Sequence, residues 1–372
     1  MASTLSDARK LLRASIAGVE AYHAMEPLET VAARRGADPS RIVRLHMNEN
    51  PWGPPLRVQE ALAAYDGYHH YPDPDSREIR RLLAGYTGID MARIVVGAGA
   101  DEVIDWLFNL FTDPGDAVLI PTPTFGMYQA RAQVYGVEAR KVPRRADFGL
   151  DLDALEAAIT PATKIVFLTS PNNPTGNLVR QQDVIRLLRH DVIVAVDEAY
   201  FEFSGRTLAP LTAEYDNLVI LRTFSKWAGL AGMRAGYGVF PRWIADEVWR
   251  VKQPYNVNIA AQVAIPAVFE EMPYMRQTIR RIRLERLRMY RALRKLNFLQ
   301  PLESKANFLL VRVLHGTNTA VQDWLEDDGI FIRRYSSPDL KNYLRISVGR
   351  PEDTDRLMIR LTQLAQRYAR EM

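Results

Sequence analysis

The sequence predicts an α/β protein: a large domain with a mostly parallel sheet flanked by helices, and a smaller α+β domain after it. Three observations carry that expectation. Short, β-branched apolar runs recur at residues 94–96, 117–120, 164–169, 192–196 and 218–221, with helical stretches between several of them. The residues able to do chemistry fall just past the carboxyl ends of those runs, where open α/β sheets keep their ligands. The chain has 372 residues, 47% apolar and 25% charged, which is ordinary globular composition and length for about two domains.

Composition also excludes several functions. A net charge of +4 over this length gives little reason to expect a nucleic-acid partner. The arginines are spread along helical stretches such as 276–294, the usual pattern of a solvated face. With no cysteine, disulfides, thiolate nucleophiles and cysteine-ligated metals are ruled out. The first ten residues lack the apolar core of a signal peptide, and no run approaches the ~18 apolar residues of a membrane span. The expected location is cytoplasmic, with no membrane partner.

Residues 1–45 read as an N-terminal arm packing with the small domain, with helical patterns over 6–19 and 28–35. LHMNENPWGPP at 45–55 is too rich in polar side chains and proline for regular structure. Its Asn48, Glu49 and Asn50 are either turn formers or the lining of a cleft where the arm crosses onto the large domain, 46–258. A helix over 58–64 precedes YHHYPDPD at 68–75. Adjacent His69 and His70 cannot easily face one ion from a short loop, so no metal is expected. Residues 78–86 are helical.

Each buried run then ends in a distinct group. After 94–96, GAGADE opens an amphipathic helix over 101–111, whose glycine-rich start offers N–H groups to an anion. After 117–120, PTPTFGMY sets Phe125 on a stiff loop, as a core ring or as one that stacks on a flat cofactor. The SPNNPTG turn after 164–169 can point an amide out of the strand end. After 192–196, DEAY supplies Asp197 and Tyr200. A carboxylate at the end of so apolar a strand needs a cationic partner to stay ionised, and a protonated pyridinium nitrogen would be one.

The last run leads into RTFSKWAGLAGMRAG at 222–236. Lys226 sits there among Thr223, Ser225 and several glycines, with Arg234 following. It is either a surface lysine in a glycine-rich loop or one that holds an aldehyde cofactor beside its phosphate. Beyond it, the small domain at 259–372 is expected to contain helices over 275–296, 319–327 and 353–370 and strands over 307–313 and 343–348.

Taken as an ordered set, NENPWGP, GADE, PTFGMY, SPNNPTG, DEAY, SKWAGLAGMRAG and LRISVG resemble the fold-type I pyridoxal-phosphate aminotransferases, most closely the histidinol-phosphate aminotransferase branch. The resemblance covers nearly the whole chain. It implies pyridoxal phosphate as cofactor, with Lys226 bound to its aldehyde and moving the substrate proton. Asp197 would face the ring nitrogen, and Asn173 and Tyr200 the phenolic oxygen. Phe125 would stack on the ring, where the family often has tyrosine. Gly99, Ala100, Asp101, Ser225 and Arg234 would surround the phosphate. Tyr71 would reach the phosphate site of a second subunit, making the chain a homodimer. Arg345 and Arg333 would bind substrate anions, with Tyr22 and Asn48 nearby.

Three departures from the family pattern lie near where substrate or the cofactor phosphate would sit. Tyr22 is not followed by Pro-Gly, Ala98 replaces a frequent arginine, and the loop between Arg333 and Arg345 is one residue shorter than in some members. The expected reaction is transamination of L-histidinol phosphate with 2-oxoglutarate, in histidine biosynthesis. Aromatic amino-acid aminotransferases and threonine-phosphate decarboxylases resemble the same branch and are the alternatives. A non-catalytic regulator built on this domain would need a winged-helix module ahead of NENP, for which the ~45 preceding residues leave no room.

Overall fold

The computed structural model describes residues 8–19, 28–34, 36, 38 and 42–371. Its larger sheet has seven strands: β2 (Ile94–Gly97), β3 (Ala117–Thr122), β4 (Glu138–Pro143), β5 (Thr163–Thr169), β6 (Ile193–Asp197), β7 (Leu218–Thr223) and β8 (Gly236–Val239). Their order across the sheet is β2-β8-β7-β6-β5-β3-β4. All neighbouring pairs are parallel except those made by β8, which runs against both β2 and β7. The mostly parallel sheet is therefore present.

Burial explains why five strands are legible in the sequence and two are not. Strands β6 and β7 are buried at every position, because helices cover both faces and both sets of alternating side chains must be apolar. Apolar clusters lie on either side of the sheet. One includes Val103, Leu107 and Phe108 of the helix Ala100–Phe111; the other includes Ile265, Met275 and Ile282. Strand β4 is an edge, and its sequence EARKVP is mostly solvated, which hides it among loop residues. Strand β8 is only GYGV. A side chain at Gly236 would place its Cβ 2.5 Å from the Ala100 nitrogen, so this strand start must be glycine to pass the helix entry.

The smaller sheet joins β1 (Val43–Leu45), β9 (Leu299–Pro301), β10 (Phe308–Val313), β11 (Ile330–Arg334) and β12 (Tyr343–Ser347) in the order β1-β11-β12-β10-β9. Only the β1–β11 pair is parallel. The segment just before NENP thus belongs to the smaller sheet, and the loop after it crosses to the larger one. The 22-residue helix Met272–Leu293 connects the two regions. The helix Ile259–Glu270, which the sequence analysis groups with the small domain, packs on the helices Leu56–Ala64 and Arg77–Thr87 instead. Its apolar face includes Ala261, Ala264, Ile265 and Val268, all buried.

In place of one helix over 6–19 there are a short turn of 3-10 helix, Ala8–Leu11, and the helix Ala14–Ala17. The next helix is Leu28–Arg34. Among the described residues no helix is long and apolar enough to cross a membrane.

Candidate active site

The end of β7 builds the most constrained turn. Its Thr223 hydroxyl donates to Ser225 Oγ at 2.9 Å, and the Ser225 N–H returns a bond to Thr223 Oγ1 at 3.1 Å. Two side chains that the sequence leaves ambiguous are thereby fixed against each other. Gly229 follows with φ +69°, and a Cβ there would lie 2.6 Å from the Gly53 carbonyl carbon. The close approach lets the NENPWGP loop lie directly across the turn. Asn50 Nδ2 donates to the Trp227 carbonyl at 2.9 Å and holds it there.

Lys226 projects from this turn, half-buried, and its Nζ donates to the Met47 carbonyl at 3.0 Å. Burial, with Arg345 nearby, brings its amine down to about 8. A neutral amine is the nucleophilic form, so much more of it is available near neutral pH than on a solvated lysine. The sequence alternative of a plain surface lysine does not describe this environment.

Two neighbouring strand ends supply the other groups. Asp197 closes β6 at 5% exposure. Its Oδ2 accepts from the Tyr128 hydroxyl at 2.7 Å and its Oδ1 from the Ala199 N–H at 2.9 Å, and no cation among the described residues pairs with it. Burial pushes its carboxyl up to about 6, even with both donors present. Tyr200, also buried, accepts from Asn48 Nδ2 at 3.1 Å, and burial pushes its phenol up to about 12.

Gly99, with φ +94°, turns β2 into the helix Ala100–Phe111, leaving the first N–H groups of that helix without a capping side chain. Arg234 reaches over from beyond the lysine turn, and its Nη2 donates to Asp101 at 2.8 Å. Lys226, Ser225, Arg234 and the Gly99–Asp101 turn are therefore gathered by the antiparallel β7–β8 hairpin lying beside β2. Phe125 is half-buried, with its ring in edge contact with Tyr128 at 5.7 Å, and thus adjoins Asp197 through that residue.

The segment His46–Asn48 is the hub. Arg345 Nη2 donates to the His46 carbonyl, Lys226 to the Met47 carbonyl, and Asn48 binds Tyr200. Asn48 is buried with φ +54°, a conformation asparagine tolerates better than most residues. Its Oδ1 accepts from Ser347 at 2.8 Å and its carbonyl from Asn307 at 2.9 Å, so one side chain joins both sheets. Arg345 Nη1 donates to Asn173 Oδ1 at 2.7 Å, while Arg345 Nε is buried without a partner. Arg333 lies directly opposite Arg345 in the β11–β12 register, half-buried, with its guanidinium 6.0 Å from the Tyr335 ring. His46 Nδ1 is also buried and unpartnered; burial, followed by Arg44, Arg345 and Arg333, brings its imidazole down to about 4.

Among the sequence candidates, Tyr71 is 82% exposed and stacks on Tyr255 at 4.6 Å. Tyr22 lies outside the described residues. Conversely, Tyr128, Asn307, Ser347 and His46 enter the site without having been singled out. Of these, Tyr128, Ser347 and His46 stand inside the motifs PTFGMY, LRISVG and LHMNENPWGPP; the bond of Tyr128 to Asp197 depends on two strand ends meeting in space.

Residues 40–361 match the family described as "Aminotransferase class I and II". The histidinol-phosphate aminotransferase of Dehalococcoides mccartyi is 43% identical over 97% of this chain and 99% of its own. The chloroplastic histidinol-phosphate aminotransferase of Nicotiana tabacum is 42% identical over 93% of this chain and 85% of its own. Among solved structures, the histidinol-phosphate aminotransferase from Sinorhizobium meliloti in complex with pyridoxal-5'-phosphate superposes with a TM-score of 0.87, at 25% identity over 98% of this chain and 99% of that one. With the family match spanning most of its length, this chain belongs to the class I and II aminotransferases.

Proposed function

We propose that the chain is a pyridoxal-phosphate enzyme that moves an amino group from L-histidinol phosphate to 2-oxoglutarate. The residues fit that cofactor on physical grounds. A buried carboxylate with no cation beside it, Asp197, suits a protonated ring nitrogen. Uncapped N–H groups after Gly99, with Ser225 and Arg234 close by, suit a phosphate. Lys226 brings an amine of lowered basicity to the same strand ends.

When bound, the cofactor supplies an electron sink for the charge left as the substrate loses a proton from its amine-bearing carbon. Lys226 takes that proton and returns it, a role suited to an amine that changes charge near pH 8. Asp197 would keep the ring nitrogen protonated, Asn173 and Tyr200 would hold the phenolic oxygen, and Phe125 would cover the ring. Asn48 holds Tyr200 in place while closing the substrate side, where Tyr22 of the arm is the remaining candidate. We further propose a homodimer in which Tyr71 reaches the second subunit's phosphate site, supported by its 82% exposure beside the exposed Tyr255. The working divisions are an arm to residue 45 that lends β1 to the smaller sheet, a cofactor domain from 46 that takes in the helix Ile259–Glu270, and a small domain after it. The pathway is histidine biosynthesis, in the cytoplasm, on small molecules and without nucleic acid.

The observation that carries the substrate assignment is the pair Arg333–Arg345. Two arginines are register partners on adjacent antiparallel strands, one with a buried, unpartnered guanidinium nitrogen, beside the segment that holds Lys226. Such a pair can bind a phosphate ester in one half-reaction and a dicarboxylate in the other. The test is the first half-reaction, followed by cofactor absorbance with a panel of amines. Histidinol phosphate and glutamate are expected to react fastest. Faster reaction with phenylalanine or tyrosine, with Arg333→Ala silent, would make it a broad aromatic transaminase. Release of carbon dioxide from phosphothreonine would make it a decarboxylase.

A further inference from the structure

Behind Asp197 lies a chain of buried and half-buried hydroxyls that the cofactor assignment does not use. Tyr128, fully buried, donates to Asp197 Oδ2 at 2.7 Å and lies 2.9 Å from Thr169 Oγ1. Thr169 Oγ1 is 3.2 Å from Thr124 Oγ1, which donates to Asn172 Oδ1 at 2.7 Å. Asn172 Nδ2 donates to the Pro123 carbonyl at 3.1 Å and to Thr175 at 2.7 Å, so its amide orientation is fixed. Thr169 is the register partner of Asp197 at the ends of β5 and β6.

We propose that Tyr128 is the positioning residue of this site: it orients the Asp197 carboxylate, favours its ionised form, and passes its protonation state to Thr169. This rests on the assignment of Asp197 to the cofactor ring nitrogen. Proton counting supports it. The Asn172 carbonyl can only accept, so the Thr124 proton points to it. An ionised Asp197 can only accept, so the Tyr128 proton points to it. Thr169 then has one proton and two acceptors, Tyr128 and Thr124. If Asp197 takes a proton on Oδ2, that proton turns toward Tyr128. The Tyr128 proton then passes to face Thr169, and the Thr169 proton faces Thr124. The Tyr128 and Thr169 hydroxyls reverse, while Thr124 donates to Asn172 in both states. The protonation state of one carboxylate is therefore written into the hydroxyls of Tyr128 and Thr169.

The ring of Tyr128 is fixed independently of its hydroxyl. It stacks on Phe167 at 4.8 Å with 7° between planes, and its edge contact with Phe125 sets that ring too. Tyr128→Phe therefore removes the donor and keeps the packing. Burial already raises the Asp197 pKa, and loss of one of its two donors raises it further.

The experiment is an infrared titration of the cofactor-free chain, with Asp197→Asn identifying the Asp197 carboxyl band. In Tyr128→Phe the midpoint is expected to rise by about one pH unit or more over wild type, the scale of one charged hydrogen bond. Thr169→Val removes one bond from the ionised arrangement and two from the protonated one, so it should lower the midpoint, by less than the rise in Tyr128→Phe, and Thr169→Ser should leave it unchanged. Pyridoxal phosphate should bind Tyr128→Phe about tenfold more weakly at neutral pH, with the difference closing at higher pH as Asp197 ionises. An unchanged Asp197 midpoint in Tyr128→Phe overturns the proposal. Should that variant not fold, an unchanged midpoint in Thr169→Val does so. Failure of the cofactor assignment shows separately, as an Asp197→Asn enzyme with near-normal half-reaction rates.

Discussion

Asp197 and Glu198 are neighbours in sequence and nearly equal in burial, at 5% and 1% exposure, yet the fold treats them in opposite ways. Glu198 is fully matched. Its Oε2 accepts from Arg222 Nε at 3.1 Å, Arg222 Nη2 at 2.9 Å and Thr207 at 2.7 Å, and its Oε1 from the Leu208 N–H at 2.6 Å. Asp197 receives two neutral donors and no cation. The arginines repeat the contrast. Arg222 is consumed by Glu198, Thr207 and Tyr237, whereas Arg345 keeps a buried nitrogen without a partner. On one side of this strand end, polar groups complete the structure. On the other they are held in place but unmatched, which is what a ligand-binding site requires.

The largest expected effect falls on the unmatched side. Lys226→Ala should abolish turnover, with a loss of order 10²–10⁴ from proton transfer alone. Borohydride reduction of the loaded enzyme and peptide mapping should label Lys226. A label on Lys252, which already bonds Asn256 and two carbonyls, or on Lys164 would contradict it.

On the matched side the effect should be on stability. Glu198→Ala leaves the Arg222 charge buried at 3% side-chain exposure, and chemical denaturation should show a loss of about 3–5 kcal/mol. A small loss there would erase the contrast between the two acids.

Next in size is Arg345→Lys, which keeps the charge but loses the planar fork. Use of both histidinol phosphate and glutamate should weaken by about 1.5–3 kcal/mol in kcat/KM. Arg333→Ala should harm histidinol phosphate more than glutamate, since a phosphate carries the greater charge. Equal losses for the two substrates would remove Arg333 from phosphate recognition. The smallest effect is on pH: alkylation of Lys226 in the cofactor-free chain should rise through about pH 8 instead of near the ordinary lysine value of 10.5.

The same contrast governs what the sequence could tell. Strands buried on both faces announce themselves as apolar runs, and the groups at their ends follow by position, so Lys226, Asp197, Tyr200 and the Gly99–Asp101 turn were all legible. The solvated edge β4 and the glycine strand β8 were not, because neither has the composition of a buried strand. Partnership was the least legible property. Nothing in the order of residues says that Asn48 would spend its side chain on Tyr200 and Ser347, or that Arg333 would lie opposite Arg345. Those facts come from antiparallel register and from a loop crossing between two sheets. Glu198 and Asp197 are equally acidic in the sequence; only the fold shows which of them has a cation.

One variant tests the central claim, that Asp197 is kept unmatched for the cofactor. Burial raises its folded pKa from the ordinary 3.8 to about 6, so stability is fully present below about pH 4 and declines as pH rises through 6. At pH 7 the ionised side chain then costs the cofactor-free chain about 2–3 kcal/mol, and Asp197→Asn should recover part of that. The measurement is a pair on this variant at pH 7: denaturation of the cofactor-free chain, and the half-reaction rate of the loaded enzyme. A more stable chain whose half-reaction collapses is the predicted result. A variant that is less stable and still turns over at near-normal rates would show that Asp197 is only structural.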